Sequence, residues 1–157
     1  GVTVANSSDT WNELESKYAA EYPKNQVRET ESGHIKEYDD TENNERIHEY
    51  HKTGTFYEID NHGQKVTRIV ANNYVIVAGN DYVNVKGDVN LTIDSNCNTH
   101  IKGNYEIQVD GNKNEVIKGT LTQKVTGAVT ETYGSTQTTT ASGNISITGG
   151  PRIDLNP

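Results

Sequence analysis

The chain has 157 residues, a net charge of −8 and 31% apolar residues with Tyr included. Val and Ile number 26 against 4 Leu, with 19 Thr and 3 Pro, a β-branched density that favours strands and excludes a helical bundle. No apolar run reaches the ~18 residues of a membrane span and no signal segment opens the chain, while the single Cys excludes an intrachain disulfide framework or a four-Cys zinc site.

The charge is uneven along the chain. Residues 1–62 hold 14 acids and 6 bases, and residues 63–157 hold 8 of each. No cluster of Lys and Arg is available to neutralise phosphates, so nucleic acid is not expected as a partner. The acidic half reads as solvated surface.

Residues 1–33 read as a linker with one short helix. Ser8 or Asp9 can cap it, residues 11–20 are helix-compatible, and Pro23 stops it. Residues 34–62 read as a small antiparallel β collar, with strands over 34–38, 46–51 and 55–59. Turns fall at 39–44, with its run of Asp and Asn, and at Lys52-Thr53-Gly54.

From residue 63 the sequence repeats with a period of eight. Gly63, Gly79, Gly87, Gly103, Gly111, Gly119, Gly127 and Gly143 all fall on one frame, and Ala71, Ser95, Ser135 and Pro151 fill its gaps. The next position is Asn or Asp at 72, 80, 88, 96, 104, 112 and 144. Such pairs tolerate φ > 0 and mark turns. Two residues before the frame stands a second series: Ile69, Val77, Val85, Ile93, Ile101, Val109, Ile117, Val125 and Tyr133. Between corners, as in Asp88-Val89-Asn90-Leu91-Thr92-Ile93, apolar residues sit at odd numbers and polar ones at even. That is a strand with one buried face. Each octad is therefore a short strand and a corner.

Constant corners wrap a chain around an axis. Three octads make a turn, and one chain supplies too few inward side chains to close a core. Three intertwined chains repair this by pairing each strand with its neighbours' and removing the free edges. The expected fold class is all-β: a homotrimeric, intertwined, triple-stranded β-helix shaft over 63–150, after the collar and before a blunt tip at 151–157. One octad then rises one strand spacing, ~4.8 Å. The eleven octads between Gly63 and Pro151 would make a shaft roughly 50 Å long. Some inward positions are polar, namely Asn73, Asp81, Thr99, Lys113, Glu115, Gln123, Glu131 and Gln137. They suit a wet axis or a local slip of phase. Lys113 and Glu115 could form a compensated axial ring that holds water or ions. Cys97, also inward, reads as packing.

The collar sequence carries a resemblance. Ser32-Gly33-His34-Ile35-Lys36-Glu37-Tyr38-Asp39-Asp40-Thr41, then Glu45-Arg46-Ile47, then His51-Lys52-Thr53-Gly54-Thr55 with Glu58-Ile59, resembles the segment that joins base to needle in the central spikes of contractile phage tails. The same pattern occurs in the VgrG spikes of type VI secretion. The octads are similar to the needle of those spikes. Gly150-Pro151-Arg152-Ile153-Asp154-Leu155 resembles the needle end of the phage spike that carries a tail lysozyme. The resemblance covers about residues 23–157. It implies a membrane-piercing needle in the virion baseplate, attached to the hub at its N-terminal side and acting at the host outer membrane. Those spikes usually begin with an oligosaccharide/oligonucleotide-fold domain, and the phage form can add a lysozyme. Neither fits here, and no Met opens the chain, so it is expected to be the C-terminal part of a longer protein. Some such spikes sharpen their own tip with a His-x-His metal motif. No His follows His100, so the resemblance implies a separate PAAR-type protein capping Pro151, Arg152, Ile153, Asp154 and Leu155.

No enzyme site is expected in these residues, nor any cofactor or metal. A glycosidase needs two carboxylates ~5–9.5 Å apart across a cleft, and Asp39 and Asp40 adjoin in a turn and face apart. His48 and His51 are an odd number apart and on a strand would point to opposite faces. His34 fits the collar motif, and His62 and His100 stand alone. No Ser-His-Asp set or phosphate loop is visible. The outward threonines between 126 and 140 are good strand residues rather than an ice-binding face. The alternatives are the shaft of a receptor-binding fibre or adhesin, and a polysaccharide-degrading β-helix, whose coils are much longer than eight residues.

Overall fold

The computed structural model describes residues 2–3 and 10–150. Two short strands, β1 (Val2–Thr3) and β2 (Thr10–Trp11), pair with each other. Five more form one antiparallel sheet in sequence order: β3 (Asn25–Glu29), β4 (Ile35–Asp39), β5 (Arg46–Tyr50), β6 (Phe56–Ile59) and β7 (Lys65–Arg68). The three expected collar strands correspond to β4, β5 and β6. The sheet also takes in β3 and β7, on either side of the 34–62 segment.

Three of the four hairpins are built alike. In 30–34, 51–55 and 60–64 the fourth residue donates its N–H to the first residue's carbonyl at 2.8–2.9 Å, and the first donates back to the fifth at 2.8–3.1 Å. The fourth residue is Gly33, Gly54 or Gly63, at φ of 88°, 96° and 75°. This is a type I turn closed by a left-handed residue, and glycine adopts that conformation without strain. In the remaining hairpin Asn43 takes the left-handed position at φ 64°.

No helix occurs among the described residues, which corrects the helix expected over 11–20. That segment is an extended strap laid across one face of the sheet. Glu13 meets Arg68 on β7 at 3.6 Å, Ser16 and Lys17 donate to Glu58 on β6, the Tyr18 ring lies 5.0 Å from the Arg46 guanidinium of β5, and Glu21 N donates to Thr41 beyond β4. Main-chain donors a helix would have kept for itself go to side chains of the sheet. Tertiary docking has overridden a weak helical propensity.

Beyond β7 the chain changes character. Bends occur at 70–71, 78–79, 86–87, 94–95, 102–103, 110–111, 118–119, 126–127, 134–135 and 142–143. They recur every eight residues, each closing on the frame position read from the sequence. Residues 69–150 form no strand within the chain. The bends at Gly79, Gly87, Gly103, Gly111, Gly119, Gly127 and Gly143 are made without a left-handed φ; Gly63 alone of the frame glycines has one. A Cβ placed on any of those seven meets nothing within 4 Å, so the single chain gives no reason for glycine there.

No apolar side chain is buried among the described residues, and the chain exposes 15272 Å². A folded monomer of 17.3 kDa exposes about 7,800 Å². The contact pattern divides the chain into two units, Gly1–His100 and Ile101–Pro157.

Candidate functional site: a buried charge cluster and an exposed apolar column

The sheet register places Glu37, His48, Glu58 and Val66 in one cross-strand row, with Asp39 opposite Arg46 two residues away on the same face. The strap crosses this face. Beneath it, Glu37, Asp39, Thr41, Arg46 and Glu58 are each no more than 5% exposed. Arg46 Nη1 donates to Glu58 Oε2 at 2.9 Å and Nη2 donates to Glu37 Oε2. Glu58 also accepts from Ser16 Oγ at 2.7 Å and from the Lys17 N–H at 3.3 Å, and Asn25 Nδ2 donates to Glu37 at 3.4 Å. Asp39 Oδ1 accepts from the Thr41 N–H at 3.0 Å. His48 Nδ1 lies 2.9 Å from Glu58 Oε2 without the alignment of a hydrogen bond, and its ring stacks on Tyr50 and lies tilted against Phe56.

Burial pushes the Glu58 carboxyl up, but the donors from Ser16, Arg46 and Lys17 outweigh it and hold the group below its ordinary value of 4.5. A general acid needs the opposite shift. The cluster is suited to clamping the strap to the sheet. Because the folded value is depressed, this stabilisation is present above the ordinary Glu range and is lost as pH falls through the depressed value. Trp11, the only Trp, lines a cleft with Val66, Arg68 and Ile69 and reports on the strap. Its emission is expected to hold at the ordinary Glu value of 4.5 and to shift only as the pH falls below it, and Glu58→Gln should remove that transition. An unchanged acid transition in Glu58→Gln would assign it to another group.

His51 is in ring contact with His34, at 4.4 Å between centroids, whereas His48 lies in the charge cluster. Asp39 is buried and Asp40 exposed, so the two face apart. Among the described residues no group of three or more His, Cys, Asp or Glu is placed to hold a metal.

The second feature is the series of apolar residues two positions before each bend. Its members are half exposed: Ile69 39%, Val85 51%, Ile93 46%, Ile101 44%, Val109 49%, Ile117 45% and Val125 60%. Apolar residues farther from the corner are in general more exposed whichever their phase, as with Ile76 at 91% and Val83 at 81%. None of these residues is buried among the described residues. Lys113 and Glu115 pair at 2.8 Å, so the two-residue period puts them on one side. The mutual pairing raises the Lys113 pKa and lowers that of Glu115. Cys97 is exposed and unpaired with any other Cys. Pro151, Arg152, Ile153, Asp154 and Leu155 lie outside the described residues.

Motif reading did not reveal the cluster, although Glu37, Arg46 and Glu58 all belong to the collar pattern quoted above. The available signal was charge at strand positions in the inward phase, with one base against two acids.

No family model matches the chain. It is 52% identical over 83 residues to "Protein Gp5" of Vibrio phage KVP40, covering 53% of this chain and 20% of that protein. It is 39% identical over 98 residues to the "Pre-baseplate central spike protein Gp5" of Enterobacteria phage T4, covering 55% of this chain and 17% of that protein. The chain thus spans about a fifth of the length of these relatives. Over that shared segment the chain is similar to a phage pre-baseplate central spike protein.

Proposed function

We propose that this chain is the needle of a contractile-tail central spike: a homotrimeric, intertwined, triple-stranded β-helix that pierces the target cell's outer membrane from the virion baseplate. The observation that carries the reading is the eight-residue bend, repeated from 70–71 to 142–143 in a segment that forms no strand with itself. Such a segment needs another chain for its main-chain ladder, and an accessible area about twice that of a folded monomer fits the same need. Empty space at every corner glycine from Gly79 onward leaves room for a neighbour's close approach.

In this reading the column from Ile69 to Val125 fills the axis, and Lys113 with Glu115 forms a compensated ring within it. Each inter-chain hydrogen bond is worth only ~1 kcal/mol net, but bending or shearing the shaft must break many at once. Load therefore passes along the axis. The chain's role is mechanical, with no catalytic residue of its own. The N-terminal side attaches to the baseplate hub, and the C-terminal residues, Pro151–Leu155 among them, seat a PAAR-type tip protein. Sedimentation equilibrium is expected to give three times the 17.3 kDa chain mass and capture of a purified PAAR-repeat protein by that trimer. A folded species of one chain mass would end the intertwined reading.

A further inference from the structure

The position just before each frame residue is the first residue of a bend. At five consecutive corners it is charged, and the sign alternates: Lys86, Asp94, Lys102, Asp110, Lys118. All five are exposed and have the outward, even-numbered phase. Among the described residues none forms an ion pair within the chain, although Asp110 accepts from Gln108 Nε2 at 2.8 Å.

Three interleaved chains change who neighbours whom. Each octad advances one face and rises one strand spacing, so residue i of one chain has residue i+8 of the next chain beside it on the same edge, ~4.8 Å away. We infer that these five residues form an inter-chain charge ladder on each edge of the shaft, in which Lys86 of one copy meets Asp94 of the second, Asp94 meets Lys102 of the third, and so on to Lys118. The partner is a second copy of this chain, chosen by charge complementarity. The inference rests on the intertwined reading above.

The ladder would set register. The octads are otherwise near-equivalent, with Ile or Val at the inward corner and usually Gly at the bend, so a chain slipped by one octad still buries its column. In the slipped trimer Lys meets Lys and Asp meets Asp wherever the slipped chain meets either neighbour. Like charges at cross-strand spacing are unfavourable, and the penalty is specific to the wrong register. Exposed pairs are individually weak and screened by salt, which suits a discriminator better than a source of stability.

The test uses three forms of the full chain: wild type, Asp94→Lys/Asp110→Lys, and the fully inverted Lys86→Asp/Asp94→Lys/Lys102→Asp/Asp110→Lys/Lys118→Asp. The first variant makes the column all positive; the second keeps the alternation. In about 10 mM salt, where screening reaches ~30 Å, the all-Lys trimer should melt at least about 5 °C below wild type. In about 1 M salt, where it falls to ~3 Å, most of that loss should return. The inverted trimer should match wild type in both. Equal melting of all three trimers, or an equal loss in both variants, overturns the ladder and leaves the trimer standing. If the all-Lys chain is not recovered in soluble form, an inverted chain that matches wild type supports the ladder and one that does not overturns it. A wild type that sediments as a single chain removes the ladder and the intertwined reading together.

Discussion

Aspartate at Val85, Ile93 or Ile101 is expected to abolish trimer assembly at neutral pH. In the proposed trimer, threefold symmetry would turn one substitution into three carboxylates in a single layer of the axis. The effective cost of burying one unpaired carboxylate is several kcal/mol. Three of them rival the ~5–15 kcal/mol that a whole domain has in hand. In a single chain the same positions are 44–51% exposed, where an added charge costs little. Sedimentation should therefore show loss of the three-chain species, with recovery as the pH falls toward the ordinary Asp value of about 4, because burial raises the carboxyls above it. Val85→Asn supplies a polar control without charge and should be milder. A Val85→Asp trimer as heat-stable as wild type would remove the column from the axis.

Arg46→Met is expected to be the most damaging single change in the collar, at about 3–5 kcal/mol. Arg46 is 4% exposed and is the one base shared by two carboxylates, Glu37 and Glu58, that are 5% exposed each. Without it the two carboxylates face each other under the strap with no compensating charge. Replacing the whole set, as Arg46→Met/Glu37→Gln/Glu58→Gln, should restore part of the loss, because the residual groups are neutral and Glu58→Gln can still accept from Ser16. Urea titration followed by Trp11 emission measures both. A single variant no less stable than the triple one would show that the guanidinium does not hold the carboxylates.

Much of the repeat's local geometry was legible because its cause is local. Gly, Ala or Ser every eight residues, with Ile or Val two before, specifies where the chain bends, and the bends fall on that frame from 70–71 onward. The expected mechanism of the bend did not hold, since the corner glycines avoid left-handed φ. In the collar, alternation and the Gly-closed turns disclosed β4, β5 and β6. The flanking β3 and β7 were harder to see. Gln26-Val27-Arg28-Glu29 carries one apolar residue, and its strand state comes from pairing with β4.

What sequence alone determined about this protein is its rhythm: an all-β chain, a hairpin collar, and corners at a constant interval with one apolar side. Those follow from interactions within a few residues. The tertiary structure alone decided that residues 12–22 form a strap instead of a helix, and that Glu37, Arg46 and Glu58 share one buried network. Ser16 and Glu58 are 42 residues apart, and Arg46 and Glu58 are 12. No periodicity records such a meeting, because it depends on which strands become neighbours and on what is then laid across them.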